Sequence, residues 1–413
     1  MPRYFHFVCA ATFAVLFLVP NTTAQIQDYS LKKLFVPQLS QFTQQHVGVV
    51  QSFDLSPDGK TIAVEFGTQE PDKTNGSWVA LWDVDSAQMI GTKQIDSDIP
   101  NIVWYRHKIR FSPDGNMLVA ITGPRLVALS FPGLKALYAF EERVQPQSAQ
   151  YQMLIEGFSM AANRLAILKQ YDHNSGHSPS LEVKIADLRS GNVLSLWSKR
   201  GLSESIALSS DARLLALTIN PGSLKDVPAD DVNIFIVRTS NGEVVRAFGS
   251  GCAAGNAEFL NDDSTLLITP TYNRLDRRDA VRLWDVKTGQ LRQQFTDREY
   301  GLRGGVSVSA DGGLLAMATF WLNPSEVKLD RNNPQGGSRL MLWTLANGKL
   351  VYTSEKLGQQ YDFGGLPMNL SWGGAWPGEP PVSVRLSAAG NRLAFGGNLI
   401  SVDTISQNGE SLK

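Results

Sequence analysis

The sequence predicts an all-β fold, a seven-bladed β-propeller of four-stranded antiparallel blades, on three observations. One phrase recurs seven times: an alternating apolar strand, a tight polar turn and a second apolar strand. The first six copies follow one another at 47–56 residues and the seventh after 78, and a repeat of about 40–50 residues is the spacing at which four short strands make one blade. Most copies lead into a further pair of strand-like runs joined at a Gly-containing hairpin turn, where Gly accepts positive φ.

The phrase reads SFDLSPDGKTIAV from Ser52, IRFSPDGNMLVAI from Ile109 and EGFSMAANRLAIL from Glu156. It returns as IALSSDARLLALT from Ile206, AEFLNDDSTLLIT from Ala257, VSVSADGGLLAMA from Val306 and VRLSAAGNRLAFG from Val384. Its turns are anchored at Asp58, Asp114, Ala161, Asp211, Asp262, Asp311 and Ala389. Five residues after each anchor stand Ala63, Val119, Ala166, Ala216, Leu267, Ala316 and Ala394, small or apolar side chains held at one register as a packed inner strand requires. Third strands are clearest at Val79–Ile90, Val281–Arg292 and Leu340–Val351, with weaker copies from Val183 and Ile234. After Leu399–Ile405 too little chain follows for an outer strand, while Ser30–Leu39 stands upstream as an unassigned strand-like run. Pairing the two closes the ring and leaves no end blade with an open edge. The expected organisation is a leader at residues 1–24 and one propeller over 25–413.

The leader is read from Arg3, the apolar run Phe7–Val19, and Thr22 and Ala24 placed for cleavage before Gln25, the pattern of a secretory signal peptide. The run is short for a bilayer span, which takes about 20 residues. No stable membrane insertion is expected after cleavage, and the destination is secreted or periplasmic. Cys9 leaves with the leader, so Cys252 has no intramolecular partner and a monomer without disulfides is expected. Apolar residues make up 43% of the chain, enough for a large core, and the formal charge is −1 with no basic stripe. That composition argues against a nucleic-acid partner.

The segments SPDGKTIAV…VALWDVDSAQ and SPDG…VRLWDVKTGQL resemble WD40 repeats, within the wider group of WD40/YVTN-type propellers. The likeness runs from about Leu31 to the C-terminus, specific in blades one, two, five and six and degenerate in three, four and seven. It implies a hydrogen-bond network in which His46 takes the position ahead of the first strand and Trp82, Trp284 and Trp343 the position on the third. TolB-like and quinoprotein-like propellers share the same architecture.

Lettering the strands of a blade a to d, the a–b and c–d turns fall on one face of the disc and the b–c and d–a connections on the other. The long insertions all belong to the second face: Gly67–Ser77, Gln170–Ser180, Asn220–Asp231, Pro270–Asp279, Phe320–Ser338 and Leu357–Pro381. Function tends to sit on such loops over a rigid scaffold. Trp321, Tyr361, Phe363, Trp372 and Trp376 are candidate stacking residues there, either as anchors for a partner or as a lid over the propeller's own apolar surface. Tyr272, Arg274 and Arg277 form a charged candidate cluster, suited to an acidic ligand or to a solvated loop with internal ion pairs.

Catalytic motifs are thin. There is no GxSxG, HExxH, CxxCH or P-loop, and the SxxK at Ser325–Lys328 lacks supporting motifs. Asp172, His173 and His177, or Asp226, Asp230 and Asp231, offer metal-ligating atoms on loops without a spacing that aligns them, so no metal and no cofactor is expected. Three functions stand: a non-catalytic scaffold binding a protein or small molecule on the long-loop face, a lactonase-like or quinoprotein-like enzyme in the axial funnel, and a purely structural repeat module inside a larger envelope complex. The leader makes a direct prediction. N-terminal sequencing of exported protein should start at or next to Gln25, and non-reducing electrophoresis should show a monomer. A retained leader or a Cys252-linked dimer contradicts it.

Overall fold

The computed structural model describes residues 29–35, 47–69, 75–99, 108–122, 125–141, 153–171, 180–201, 203–219, 233–249, 254–260, 263–270, 280–296, 305–322, 336–354, 357–358, 383–396 and 400–407. All regular structure among them is β. The chain opens with β1 (Tyr29–Phe35). Blade one follows as β2 (Val47–Leu55), β3 (Thr61–Gln69), β4 (Asn75–Asp83) and β5 (Met89–Ile99), and blade two as β6 (Lys108–Phe111), β7 (Met117–Thr122), β8 (Arg125–Ser130) and β9 (Ala136–Glu141). Blade three is β10 (Met153–Ala161), β11 (Arg164–Tyr171), β12 (Ser180–Asp187) and β13 (Val193–Arg200). Blade four is β14 (Ser203–Leu208), β15 (Leu214–Ile219), β16 (Ile234–Arg238) and β17 (Val244–Phe248), and blade five is β18 (Ala254–Phe259), β19 (Thr265–Pro270), β20 (Val281–Asp285) and β21 (Leu291–Phe295). Blade six comprises β22 (Val306–Val308), β23 (Leu314–Leu322), β24 (Gly336–Thr344), β25 (Leu350–Thr353) and the short β26 (Leu357–Gly358), which also pairs with β24. Blade seven is β27 (Ser383–Leu386), β28 (Arg392–Gly396) and β29 (Ile400–Gln407), with β1 as its outer strand.

The ring therefore closes as the sequence predicts. β1 runs antiparallel to β29 with Leu31 opposite Ile405 and Tyr29 opposite Gln407. Leu31 also packs against the apolar cluster between blades six and seven. The core is divided among seven such clusters, each shared by two neighbouring blades. Phe53, Ile62 and Val64 of blade one, for example, meet Ala394, Ile400 and Val402 of blade seven. A fully buried Leu, Ile or Phe contributes roughly 1.5–3 kcal/mol, so opening any one junction exposes a whole cluster. Burial falls outward from the second strand: β7 is buried throughout, whereas β9 and β13 are largely exposed.

The Ser-x-Asp turns show why that tripeptide recurs. Ser56, Ser112, Ser209 and Ser309 each donate their hydroxyl to the Asp two residues on, at 2.5–2.7 Å. Each also accepts the N–H five residues on, from Thr61, Met117, Leu214 and Leu314, at 2.9–3.0 Å. One hydroxyl thus satisfies both ends of the turn. In blade seven Asn391 takes the place of the missing Asp, accepting from Ser387 at 3.0 Å. The Ser112 hydroxyl holds Asp114 below its ordinary carboxyl pKa, and the N–H of Arg213 followed by the Ser209 hydroxyl does the same for Asp211. Arg292 and Thr288 bring Asp285 down to about 2. Depressed carboxyls add stability that is present above their unfolded value and lost as pH falls through the folded one.

Blade three departs from the predicted register. Ala161 pairs with Arg164, so its a–b turn is Ala162–Asn163, two residues shorter than in blade one. Ser159, opposite Ala166, then occupies the place that Asp54, opposite Ala63, holds in blade one. The predicted loop insertions Gly67–Ser77 and Phe320–Ser338 are in part continuous strand: β3 extends to Gln69, β23 to Leu322, and β24 begins at Gly336.

The c–d turns lock adjacent blades. Gly242 has φ +69°, and a Cβ there would lie 2.6 Å from the Trp197 ring of blade three, whose Nε1 donates to the Thr239 carbonyl at 3.2 Å. Gly191 meets Tyr138 of blade two in the same way. Glycine is required at these two turns both for its φ and for the close approach. Farther round, Phe248 stacks on Trp284 and Phe295 meets Trp343 edge-on, both at 5.5 Å between centroids.

Closure predicts the outcome of a truncation. Removing residues 25–35 re-exposes the edge of β29 and part of the six–seven cluster, and should lower the melting temperature by roughly 5–10 °C or more. Calorimetry of the truncated chain checks this, and an unchanged melt contradicts it.

Candidate functional site

Strand a of each blade lies innermost, since the contacts between neighbouring blades run chiefly through β2, β6, β10, β14, β18, β22 and β27. Opposite the seven small or apolar strand-b residues, these strands present Asp54, Arg110, Ser159, Ala207, Glu258, Ser307 and Arg385. These residues form one level of the axial channel. Lys108 and Asn256 stand two residues earlier on their strands, and so nearer the long-loop face.

An inner strand has no further strand to receive the N–H groups on its free side, so other acceptors are needed. The side chains of this level supply them across blade boundaries. Asp54 accepts the Phe111 N–H at 2.8 Å, Ser159 that of Leu208 at 2.9 Å and Ser307 that of Leu386 at 3.0 Å. One level on, Ser52 accepts from Ile109 at 3.1 Å and Ser205 from Ala257 at 3.2 Å.

The same level concentrates charge. Arg385 Nε lies 3.6 Å from Asp54 Oδ1, both side chains nearly buried, and Arg385 donates from Nη1 to the Val384 carbonyl at 2.7 Å. Arg110 donates likewise to the Ile109 carbonyl at 2.6 Å. Lys108 donates to the Phe158 carbonyl at 3.0 Å, with its ammonium 5.1 Å from the centre of the Phe158 ring. Arg385, Asp54 and the Lys108–Arg110 pair come from blades seven, one and two, which are consecutive around the ring. Glu258 comes from blade five on the far side. It keeps contact with water while protein surrounds it, as befits a side chain lining a narrow channel. Burial raises its pKa above the ordinary value of 4.5, against the pull of Arg385, Arg110 and Lys108, and Asp54 adds to the rise. A carboxyl pushed toward its neutral form in this way is suited to exchanging protons.

Sequence reasoning missed this ring, although a signal for it exists. Its members stand nine residues ahead of Ala63, Val119, Ala216, Leu267, Ala316 and Ala394, and seven ahead of Ala166. Of the predicted site residues, Trp321 lies near the end of β23 opposite Gly337. Tyr272, Arg274, Arg277, Tyr361, Phe363, Trp372 and Trp376 lie outside the described residues, as do His46, Cys252, both loop sets of His and Asp considered above and Ser325–Lys328. The chain leaving the b–c connection of blade six pairs with the chain entering its d–a connection, Ser338 with Leu357 and Gly337 with Gly358. The hydrogen-bond network implied by the WD40 resemblance is not formed at two of its tryptophans. The Nε1 atoms of Trp284 and Trp343 are buried with no hydrogen-bond partner among the described residues, and these indoles serve as packing surfaces instead. Among the described residues no group of three His, Cys, Asp or Glu is placed to hold a metal, and no helix is long and apolar enough to cross a membrane.

No protein-family model matches the chain, and no curated protein matches it significantly. Solved structures do match in fold. A chain of Kuenenia stuttgartiensis hydrazine synthase superposes with a TM-score of 0.54 at 12% identity, covering 89% of this chain and 99% of that one. A chain of the mitotic checkpoint complex gives 0.53 at 12% identity, covering 96% and 98%. The C-terminal WD40 domain of Sif2 gives 0.51 at 12% identity, covering 91% and 98%. The fold is a WD40-like β-propeller.

The raised Glu258 pKa has a signed consequence. The folded state holds this proton to higher pH than the unfolded state, so stability falls as pH rises between 4.5 and the folded value. Glu258→Gln removes the charge and should raise the melting temperature at pH 7, with the advantage vanishing below pH 4.5. Melts from pH 4 to 8 check this. A variant less stable than the parent at pH 7 contradicts it.

Proposed function

We propose that this chain is an exported WD40-like propeller that acts as a non-catalytic binding scaffold and docks a protein or small-molecule partner on its long-loop face. The observation that carries this reading is topological. The strand ends that the long connections join lie on the face opposite the short a–b and c–d turns, and Lys108 and Asn256 stand toward that same face. The fold supports a binding role, since the rigid ring holds loops from seven blades around one axis. The leader at residues 1–24 supports export to the periplasm or beyond.

On this reading the aromatic residues of the blade-six connections anchor the partner. Truncating a central Trp should cost on the order of 2 kcal/mol of binding. Trp372→Ala and Trp376→Ala, assayed for affinity and thermal stability, separate an anchor from a lid. Weaker binding by well-folded variants is expected. Normal binding by both refutes the anchor role.

A second reading is favoured by one observation, the placement of Glu258, Arg110 and Arg385 at one register of the inner strands. A lactonase-like enzyme in the axial funnel would use Glu258 as its proton-transfer group and the guanidiniums to stabilise developing negative charge. Screening lactones against the parent and Glu258→Gln tests it. Turnover lost in the variant supports an enzyme, and equal rates remove Glu258 from the chemistry.

A further inference from the structure

We propose that the rim cleft between blades one and two binds a small aromatic carboxylate, its ring in the cleft and its carboxylate on Lys93. The site lies on the outer strands, away from the axis, and does not depend on the docking reading. The other blades show what fills the same place elsewhere in the ring.

At one register of strand d, four consecutive blades carry an aromatic ring that packs into the junction with the next blade. Phe140, opposite Leu126, joins the two–three cluster, and Trp197, opposite Val183, the three–four cluster. Phe248, opposite Ile234, joins the four–five cluster, and Phe295, opposite Val281, the five–six cluster. In blade six Ser354 stands at this register, bonded to the Leu340 backbone, and Tyr352 two residues earlier packs into the six–seven cluster instead. Blade one has neither ring. Lys93, opposite Val79, takes the place of the Phe, and Gly91, opposite Leu81, the place of the Tyr.

A cleft of about 230 Å³ opens at this junction, lined among others by Lys93, Ile95, Arg125, Val127, Leu137 and Ala139. A cavity of about 150 Å³ already holds benzene, so the cleft has room for a substituted ring. The backbone does not impose the gap. Gly91 is not in the left-handed region, and a Cβ there would touch only Leu134 at 3.6 Å and Leu81 at 3.9 Å, ordinary contacts. The lining suits a ring: Ile95 and Val127 belong to the apolar cluster of the junction, and Leu137 adds an exposed aliphatic side chain. A cation over a ring already occurs one junction on, where the Lys184 ammonium lies 5.2 Å from the centre of the Phe140 ring. In the cleft Arg125 is engaged by Glu141 at 3.9 Å. Lys93 is exposed, and its ammonium has no ion-pair or hydrogen-bond partner among the described residues, so it supplies the charge that a carboxylate needs.

The test is titration calorimetry of the mature full chain with indole-3-acetate. Saturable binding of one molecule per chain is expected, with Kd on the order of 1 mM or tighter; no saturable binding overturns the proposal. Cyclohexylacetate carries the same charge without a π face and should bind at least about fivefold more weakly. Equal affinity for the two overturns the aromatic class. Lys93→Phe gives blade one the ring that blades two to five carry, and should abolish binding by filling the cleft. Undiminished binding by this variant overturns the proposal. Ala139→Leu narrows the cleft from the blade-two side and should also abolish binding, which keeps the test decisive if Lys93→Phe fails to fold. Lys93→Gln keeps the room and removes the charge. It should weaken indole-3-acetate about tenfold and leave the neutral indole-3-acetamide unchanged, whereas Arg246→Gln on the outer strand β17 should change neither. Equal affinity of Lys93→Gln and the parent for indole-3-acetate overturns the assignment of the carboxylate to Lys93.

Discussion

The innermost strand of each blade has a free edge, and the structure is organised by how that edge is satisfied. Strand b receives half of the hydrogen-bonding groups of strand a, and the other half faces the gap between blades, which backbone crosses directly near the a–b turns, as where the Ala310 N–H donates to the Ala388 carbonyl at 2.9 Å. Elsewhere short side chains bridge the gap. Asp54, Ser159 and Ser307 at one level, and Ser52 and Ser205 at the next, accept N–H groups from the following blade. A buried N–H left without a partner costs about 1–3 kcal/mol, so each of these bonds ties blade to blade at the axis. The apolar clusters do the same farther out. Closure through β1 and β29 is then a condition of the whole ring, because one open junction leaves its inner edge uncapped and its cluster exposed.

The register that caps inner edges also lines the channel, which couples stability to chemistry. Where the capping residue is Ser, the level is neutral and small. Asp54 instead caps Phe111 and at the same time faces Arg385. Arg110 and Glu258 occupy the same register and place their charges in the channel. One ring of positions thus carries both the hydrogen bonds that hold the blades together and the charge of the channel.

Much of the fold was legible in the sequence because it is local and repeated. The Ser-x-Asp turns could be read from Ser56, Ser112, Ser209 and Ser309, since all their partners lie within five residues. Closure could be read because a blade lacking its outer strand and an unassigned upstream strand complete each other. The charged ring could not be seen without the topology. Asp54, Arg110, Glu258 and Arg385 lie on different strands of four blades, and only closure brings them to one level. The short turn of blade three obscured the register further by moving Ser159 two places relative to its equivalents. The strand-c tryptophans show the opposite limit. Trp284 and Trp343 look like members of a polar network in sequence, yet each packs against a Phe from the outer strand of the preceding blade, Phe248 and Phe295.

The central claim is that side-chain caps between inner strands hold the ring together, and residue-resolved amide hydrogen exchange tests it most directly. The amides of Ile109, Phe111, Leu208, Ala257 and Leu386 should exchange as slowly as those of the fully paired second strands, and Asp54→Ala should release Phe111 before the strand-b amides of blade two. Exchange of these five amides at the rate of exposed turns in the parent protein, or no change at Phe111 in Asp54→Ala, would contradict the account.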